Sequence, residues 1–267
     1  MNRIIVEDVS FSYGKEREIF KSLCVEFDSR PTAIIGQNGS GKSTLMKLIK
    51  GLLHPNCGKI IINGLRTADH TAAQLAPLVG LVFQNPDEQI CKSDVLSEVM
   101  FGPENIGQTK EEARRNSLKA LETLGLTHTC SRHPMDLNVS ERKLVAIASV
   151  IAMKPDIVIF DEPTMALDAP GKKRIKELIK NLIAEGRLVL CILHDMAFAA
   201  EMFERIIVLR EGSVHLDGNP REVFSEREEL RKAGADIPPV SMLAKKLGVS
   251  QTILSVGELV DALKKDE

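Results

Sequence analysis

The 267-residue chain lacks an excess of charge of either sign. Its 35 Lys and Arg residues nearly balance its 37 Asp and Glu residues, which gives a formal net charge of −2 at pH 7. The isoelectric point is near 6.3. A chain with this balance offers no extended basic surface to a polyanionic strand. Nucleic acid is therefore not expected to be a main partner.

Long hydrophobic runs are also missing. The longest uninterrupted run, from Leu144 to Met153, falls well short of the about 20 apolar residues that a membrane-spanning helix requires. Near the N-terminus, Glu7 and Asp8 interrupt the apolar stretch that follows Arg3, so no secretory signal is predicted there. A membrane-inserted segment is not expected.

Cysteine is sparse, and the number of cysteines is odd. The cysteines are Cys24, Cys57, Cys91, Cys130 and Cys191. Their wide spacing does not fit a disulfide framework, so reduced thiols of a cytoplasmic protein are expected. With 43% hydrophobic and 27% charged residues, the composition is that of a soluble globular protein.

The strongest motif is a glycine-rich segment, GQNGSGKST, which starts at Gly36 and ends at Thr44. An apolar run precedes it and a helical pattern from Thr44 follows it, as in a phosphate-binding loop between a strand and a helix. Glycines let backbone N–H groups close around phosphates, Lys42 can reach the β and γ oxygens, and the Ser43 hydroxyl suits Mg²⁺. A turn that merely joins a strand to a helix is the alternative. The predicted nucleotide-binding residues of this loop are Gly36, Gln37, Asn38, Gly39, Ser40, Gly41, Lys42, Ser43 and Thr44.

Strand and helix patterns alternate along most of the chain. Short strands are predicted over residues 3–9 and 31–35, and buried strands over 157–160 and 188–193. Between Gln84 and Ala152 the pattern is helical instead. This rhythm predicts an α/β fold with a parallel sheet.

Two further helical regions carry start signals. Thr109 and Glu112 are spaced as a capping box in the middle of the chain. Beyond about residue 225 the chain becomes highly charged, and Pro238-Pro239 opens a tail that we predict to be a separate element. The predicted helices of the tail are 240–247 and 256–264, the second capped by Ser255 and Glu258.

Polar residues stand where three apolar strand patterns end. Such positions form the ligand site of an open α/β sheet, beside the phosphate loop. Asp161 can hold Mg²⁺ through water, Glu162 can polarise the water that attacks the γ-phosphate, and His194 can contact that phosphate. Gln84 can act as a neutral ligand for Mg²⁺ or for the attacking water. As alternatives, the acidic pair could begin a turn, and the histidine could be a capping or core residue.

In this order the motifs resemble those of the ATP-binding-cassette (ABC) ATPases, over roughly residues 1 to 225. The matching segments are Tyr13 for the aromatic residue on which adenine stacks, GQNGSGKST for Walker A, Gln84 for the Q-loop, IVIFDE at 157–162 for Walker B, Leu167-Asp168 for the D-loop, and His194 for the switch histidine. For Tyr13, a plain packing role is the alternative.

The resemblance implies ATP and Mg²⁺ as ligands. It implies Glu162, His194, Gln84 and Lys42 as catalytic residues, and Ser43, Gln84 and Asp161 around the metal. The implied fold is a P-loop ATPase core with an N-terminal antiparallel β subdomain and an α-helical subdomain inserted at about 85–152. A C-terminal helical extension at 226–267 would follow the ATPase domain at 1–225.

The stretch VFQNPDEQI, continued by Val99 to Asn105, resembles the ATPase (A) subunits of energy-coupling-factor transporters. Transporters of this family carry micronutrients, including vitamins and cobalt or nickel ions, into prokaryotic cells. The resemblance implies a peripheral position at the cytoplasmic face of the cell membrane, with a membrane T component, a substrate-binding S component and a second ATPase subunit as partners. The C-terminal extension is expected to help the two ATPases pair. A generic importer ATPase is the alternative.

One motif departs from the family pattern. Where the signature reads LSGGQ, this chain has Leu137-Asn138-Val139-Ser140-Glu141. In the family, this helix N-terminus caps the γ-phosphate bound to the partner. Here Val139 puts a branched side chain in place of glycine, and Glu141 brings negative charge toward a polyanion. Asn138 and Glu141 are also spaced to cap the helix themselves. A weakened site in which Ser140 still supplies a hydroxyl is the milder alternative.

These features predict an asymmetric pair of ATPases. Gln84, Asp161, Glu162 and His194 of this chain should hydrolyse ATP when a different subunit supplies an intact signature. A nucleotide-gated partner without catalysis and a soluble ABC ATPase are the alternative functions.

Overall fold

The computed structural model describes residues 2–14 and 17–265, which form an α/β fold of two sheets and surrounding helices. The outer limits of the two predicted domains, Met1 and Glu267, lie outside the described residues. The strands are β1 (Ile4–Tyr13), β2 (Arg17–Phe27), β3 (Thr32–Ile35), β4 (Cys57–Ile62), β5 (Leu65–Arg66), β6 (Val79–Val82), β7 (Ile157–Asp161), β8 (Leu188–Ile192), β9 (Arg205–Arg210) and β10 (Ser213–Gly218). The helices are α1 (Lys42–Ile49), α2 (Val95–Asn105), α3 (Lys110–Thr123), α4 (Val139–Ile151), α5 (Ala169–Ala184), α6 (Met196–Met202), α7 (Pro220–Ser225), α8 (Arg227–Lys232), α9 (Pro239–Lys246) and α10 (Val256–Lys265).

The first sheet is antiparallel and has the strand order β2-β1-β4-β5. β1 continues to Tyr13, beyond its predicted end at residue 9, because its pairing with β2 resumes after irregularities in register. Asp8 has a left-handed φ of 50° at the first of these irregularities. The continued strand brings the Tyr13 hydroxyl to within 3.4 Å of Thr44 Oγ1. The first sheet thus places an aromatic ring beside the start of α1.

The second sheet has the strand order β10-β9-β3-β8-β7-β6. All neighbouring pairs from β9 to β6 are parallel, and β10 lies antiparallel to β9 at one edge. Parallel strands end at the same edge of a sheet. The segments that follow β3, β6, β7 and β8 therefore meet, and they contain the phosphate loop, Gln84, Glu162 and His194.

Two hydrophobic clusters cover the faces of this second sheet. Ile157 and Ile159 of β7 pack on the side of α1 and the first sheet, whereas Val158 and Phe160 pack on the side of α4 and α5. All four side chains are fully buried. A strand that is covered on both faces needs apolar residues at every position, which explains the unbroken apolar run of β7. Asp161 is the first polar residue after that run.

Helix α1 begins at Lys42, earlier than the predicted start at Thr44. Gly41, with φ of 102°, directly precedes it, so the turn of the loop and the first helical residue are adjacent. The lysine and serine of the motif consequently lie on the first turn of the helix and not in the loop.

Helices α2, α3 and α4 occupy the segment that was predicted to be helical. The predicted capping box is confirmed, since the Glu112 N–H donates to Thr109 Oγ1 at 3.3 Å and the Thr109 N–H donates to Glu112 Oε2 at 3.0 Å. Within the described ranges, no helix combines the length and the apolar character that crossing a bilayer requires.

Two short helices form most of the tail, close to the predicted limits. The α9 helix begins at Pro239, and α10 begins at Val256. The predicted cap is confirmed, because the Glu258 N–H donates to Ser255 Oγ at 3.2 Å. A small separate cluster of buried apolar residues holds the two helices together. Its members are Ala244, Ile253, Leu259 and Ala262.

A buried carboxylate organises the loop between β6 and α2. Glu98 is 3% exposed, and its Oε2 accepts hydrogen bonds from the backbone N–H groups of Cys91 and Lys92, each at 2.8 Å. Removing this acceptor leaves two N–H groups without their partner. The carboxylate is thus expected to contribute to the stability of the helical segment.

We predict that Glu98→Ala lowers the free energy of unfolding by about 1–3 kcal/mol. Glu98→Gln should cost less, because its amide oxygen can still accept both hydrogen bonds. Glu104→Ala on the exposed side of α2 is the matched control, with an expected change within about 0.5 kcal/mol. Urea unfolding followed by circular dichroism measures all three variants. Equal losses for Glu98→Ala and Glu104→Ala would contradict the proposed contribution of the carboxylate.

Candidate nucleotide-binding and hydrolysis site

The phosphate loop leaves β3 at Gly36 in a conformation that requires glycine. Gly36 has φ of 142°, and a Cβ built there would lie 2.1 Å from the carbonyl oxygen of Leu209 on β9. Any side chain at this position would displace the neighbouring strand. Ser40 further along the loop is 1% exposed, and its hydroxyl is one of the described buried groups without a hydrogen-bond partner. The loop thus combines a tightly packed backbone at Gly36 with a buried hydroxyl, that of Ser40, which can still form a hydrogen bond.

Lys42 is folded back over the loop that precedes it. Its Nζ donates to the carbonyl oxygens of Gly36 at 2.7 Å and of Gln37 at 2.9 Å, and the residue is 7% exposed. Burial lowers the pKa of this ammonium group, while the nearby carboxylates of Glu162 and Asp161 act to raise it. A phosphate oxygen would supply the negative charge that the two neutral carbonyls lack.

Asp161 lies at the end of β7 and is 6% exposed. Burial raises the pKa of this carboxyl, and a hydrogen bond from the Ser43 side chain acts in the opposite direction. Its Oδ1 has no hydrogen-bond partner among the described residues. A buried carboxylate oxygen next to a serine hydroxyl is a suitable donor set for a hard cation such as Mg²⁺.

Glu162 and His194 form a pair across the ends of β7 and β8. Glu162 Oε1 lies 3.1 Å from His194 Nε2. The Glu162 N–H donates to the Ile192 carbonyl at 3.1 Å, and this residue has a left-handed φ of 50°. Non-glycine residues in this region are strained and are frequent at functional sites. Glu162 thus combines a strained backbone with a side chain that is paired with the histidine.

Gln84 and Tyr13 approach the site from two other sides. The Gln84 Nε2 donates to the Met165 sulfur at 3.4 Å. The Tyr13 ring packs edge-on against Phe11, with centroids 4.9 Å apart, and is 46% exposed. Tyr13 therefore combines a packing contact with an exposed ring face.

These residues surround one cleft of about 870 Å³, within the size range of ligand pockets. The predicted residues that line it are Tyr13, Asn38, Gly39, Gly41, Lys42, Ser43, Thr44, Gln84, Glu162 and His194. Asp161 adjoins the cleft through its bond to Ser43. Met165 and Lys172 also line it, and sequence reasoning missed both, since neither belongs to a pattern with a local chemical signal.

Residues 24–165 match the family model described as "ABC transporter", which covers more than half of the chain. The chain belongs to the ABC transporter family. Its Walker A, Walker B, Q-loop and switch-histidine segments are the ones that meet in the cleft. It binds ATP, and its hydrolysis of ATP is coupled to transport.

Relatives over nearly the full length include subunits of energy-coupling-factor transporters. The chain is 38% identical over 276 residues to the energy-coupling factor transporter ATP-binding protein EcfA1 of Symbiobacterium thermophilum, covering 97% of this chain and 96% of that protein. It is 37% identical over 253 residues to EcfA2 of Caldanaerobacter subterraneus, covering 91% and 88%. The expected resemblance to these ATPase subunits is confirmed.

The solved structure of cbiO1 from Clostridium perfringens, described as part of the ABC transporter complex cbiONQ, shares the fold. It superposes with a TM-score of 0.75 at 32% identity, covering 92% of this chain and 96% of that one. The expected ABC ATPase architecture is confirmed by this similarity and by the family match.

The degenerate signature lies outside the cleft, at the N-terminus of α4. The predicted self-capping is confirmed, because the Glu141 N–H donates to Asn138 Oδ1 at 2.9 Å and the Asn138 N–H donates to Glu141 Oε2 at 3.2 Å. The Ser140 hydroxyl donates to Oδ1 of the D-loop residue Asp168 at 3.1 Å. Val139 is 49% exposed, while Leu137 of the signature and Leu167 of the D-loop are buried. The capping atoms and the serine hydroxyl are thus engaged within the chain.

Lys143 lies 59 residues beyond Gln84 in sequence and contacts the Q-loop directly. It is 1% exposed, and its Nζ donates to the carbonyl oxygens of Phe83, at 3.1 Å, and of Gln84. Burial lowers its pKa to about 8, and Asp161 and Glu162 act to raise it. Sequence reasoning missed this link, since a lone lysine beside an apolar run carries no signal for a buried contact. The signature helix and the Q-loop are therefore joined by a charged side chain.

We predict that Glu162→Gln keeps ATP binding and lowers the rate of ATP hydrolysis by about 10²–10⁴-fold, because an amide cannot take a proton from water. Phosphate release at saturating ATP and the nucleotide dissociation constant measure the two effects. Glu177→Gln, at a 62% exposed side chain on α5, is the matched control and should hydrolyse normally. Normal turnover of Glu162→Gln would mean that another residue positions the water.

Proposed function

We propose that this chain is the ATP-hydrolysing subunit of an energy-coupling-factor transporter and powers uptake of vitamins or transition-metal ions. In this proposal it lies at the cytoplasmic face of the cell membrane, held there by a membrane T component that works with a substrate-binding S component. The similarity to EcfA1, EcfA2 and the cbiONQ subunit supports the proposal. The observation that carries the catalytic role is the pairing of Glu162 with His194 at 3.1 Å in the nucleotide cleft.

In the proposed mechanism, Ser43, Gln84 and Asp161 would hold Mg²⁺. The unpartnered Oδ1 of Asp161 supports this assignment. When bound, Mg²⁺ neutralises charge on the β and γ phosphate oxygens. Gln84 would have to exchange its contact with the Met165 sulfur for one inside the cleft.

The remaining roles fall to residues of the cleft. Lys42 exchanges its two carbonyl contacts for the β and γ phosphate oxygens, and Tyr13 stacks on adenine. Glu162 orients the attacking water and accepts its proton, while His194 contacts the γ-phosphate. The short distance between the last two side chains lets the histidine hold the carboxylate in place.

We further propose that the second ATPase subunit is a different protein. A cap for a partner's γ-phosphate needs free donors at a helix N-terminus. In α4, Asn138 takes up the Glu141 N–H, Asp168 takes up the Ser140 hydroxyl, and the Glu141 carboxylate already complements the positive helix end. An intact signature from another subunit would therefore close the working site of this chain.

The proposed division of the chain is an ATPase domain at 1–225, with a helical subdomain at about 85–152, and a C-terminal extension at 226–267. Exposed apolar side chains on α9, on the residue that caps its C-terminus and on α10 support a pairing role for the extension. Those with the largest exposed fractions are Val256 at 70%, Leu247 at 52%, Leu243 at 49% and Val260 at 43%. Burying such side chains against a second subunit would remove them from water.

Two other functions are the alternatives to this proposal. A nucleotide-gated partner without catalysis would have no use for the Glu162–His194 pair. A soluble ABC ATPase is distinguished from the transporter subunit by the proteins with which it associates in the cell.

We expect the tagged chain, purified from its native membranes, to retain a hydrophobic membrane protein and a second ATPase. Mass spectrometry identifies the retained proteins, and flotation in a density gradient measures whether the complex is bound to lipid. A complex that stays in the soluble fraction and contains neither component would contradict the transporter role.

We predict that the purified chain alone hydrolyses ATP slowly and that restoring its signature to LSGGQ raises the rate by about 10²-fold, since preorganised donors are regained. The restoring changes are Asn138→Ser, Val139→Gly, Ser140→Gly and Glu141→Gln. The same restored chain carrying Glu162→Gln is the control and should lose the gain. An unchanged rate after restoration would contradict the asymmetric arrangement.

A further inference from the structure

Backbone hydrogen bonds within the chain cap the C-terminal end of α8. They leave the carbonyl of Ala233 available to accept a hydrogen bond from another segment. The Ala235 N–H donates to the Leu230 carbonyl at 2.9 Å, and the Gly234 N–H donates to the Arg231 carbonyl at 3.1 Å. This pair of bonds is the Schellman motif, with Gly234 at φ of 65° in the left-handed position. The motif turns the chain from α8 toward α9.

The carbonyl of Ala233, at the centre of this turn, accepts a hydrogen bond from the backbone N–H of Gln37 at 2.9 Å. Gln37 is the second residue of the phosphate loop, and Ala233 is fully buried. The bond joins two segments that are far apart in sequence. It also supplies a backbone acceptor to the N–H of Gln37, which lies in a loop outside any strand or helix.

Gly234 packs directly on the side chain of Gln37. A Cβ built at Gly234 would lie 2.7 Å from Gln37 Cβ and 3.3 Å from Gln37 Oε1, whereas Gln37 Cα would be at an ordinary contact distance of 3.5 Å. An added methyl group would therefore push the loop residue away unless the turn itself moved. The close approach requires a residue without a side chain.

Contacts with the hydrophobic core and with β10 hold α8 and the turn after it in place. Leu230 is fully buried and Ile237 is 5% exposed, and both belong to the larger hydrophobic cluster. On α8, Glu229 Oε2 lies 2.9 Å from His215 Nε2 of β10. Because these contacts fix α8 to the core, a collision at Gly234 would be transmitted to the more exposed Gln37.

The loop has little freedom to absorb such a push. Gly36 before it is pressed against Leu209, and the Gln37 carbonyl accepts a hydrogen bond from Lys42 Nζ at 2.9 Å. A displaced Gln37 would move the carbonyl that holds the ammonium group. The position of the lysine before it meets phosphate thus depends on the turn after α8.

We propose that Gly234 is a positioning residue for ATP binding and that the turn at Ala233-Gly234, at the junction between α8 and α9, holds the phosphate loop in its binding conformation. This inference does not depend on the proposed transporter or its partners, because ATP binding belongs to the single chain. It gives the junction a role in nucleotide affinity besides any role in pairing.

The test compares Gly234→Ala with Gly248→Ala in the purified full chain. Gly248, at φ of 83°, closes α9 with the same motif, and a Cβ there would meet nothing within 4 Å. Both variants bear the same kind of backbone strain, so they differ in the collision with Gln37. We expect Gly234→Ala to bind ATP about tenfold more weakly than Gly248→Ala, measured by calorimetry in EDTA so that hydrolysis does not interfere. Equal dissociation constants would overturn the proposal.

A second set of variants separates positioning from a general loss of structure. Gln37→Gly removes the Cβ and Oε1 that the new methyl group would meet, whereas Gln37→Ala keeps the Cβ. The effect of Gly234→Ala should therefore disappear in the Gln37→Gly background and persist in the Gln37→Ala background. The same effect in both backgrounds would overturn the proposal.

A measurement on the unaltered chain covers the case in which Gly234→Ala does not fold. If the turn positions the loop, ATP must in return stabilise the turn. ATP should slow amide hydrogen exchange at residues 233–237 severalfold and leave the turn at Gly248 unchanged. Unchanged exchange at 233–237 with saturating ATP would overturn the proposal.

Discussion

The alignment of parallel strand ends is the constraint on which the whole site depends. Phe160 lies beside Val82 on one side and Cys191 on the other, and Ile34 lies beside Ile192. Each strand is apolar on both faces, so a slip of one residue would exchange its contacts with both hydrophobic clusters. Because the register is fixed by this packing, the polar residue that follows each strand arrives at the same place. The site therefore needs no structural element besides the ends of four strands and one loop.

Charge is buried at this edge before any nucleotide is present. Burial lowers the pKa values of Lys42 and Lys143 and raises that of Asp161, and the opposite charges of their neighbours partly compensate. Buried ions are tolerated where partners and hydrogen bonds replace water. Lys42 has only neutral carbonyl oxygens as hydrogen-bond partners among the described residues, so phosphate would improve its surroundings. The surroundings of Lys42 therefore favour a ligand of negative charge.

Local patterns could be predicted from the sequence, and distant contacts could not. The capping boxes of Thr109 and of Asn138 involve partners three residues away, and the structure confirms both. The strand ends were predictable because hydrophobic runs stop where they reach the edge of the sheet. The bonds from Ser140 to Asp168 and from Lys143 to Phe83 span 28 and 60 residues, and they follow from how helices pack on the sheet. The roles of individual site residues stay predictions. Composition and spacing indicate which chemistry a residue can perform, but they do not show which ligand atom it contacts.

Helix ends supply the free backbone groups of a protein, and this chain uses two of them in opposite ways. At the N-terminus of α4, Asn138 and Glu141 consume the donors that an external phosphate would need. At the C-terminus of α8, the turn at Gly234 satisfies the helix and leaves the Ala233 carbonyl to bind Gln37. In the proposed pair of ATPases, the first end would offer few donors to a neighbouring subunit's nucleotide, and the second would support the phosphate loop of its own chain. Both features favour the proposed asymmetric arrangement, in which this polypeptide would maintain its own ATP site and contribute little to the site of another subunit.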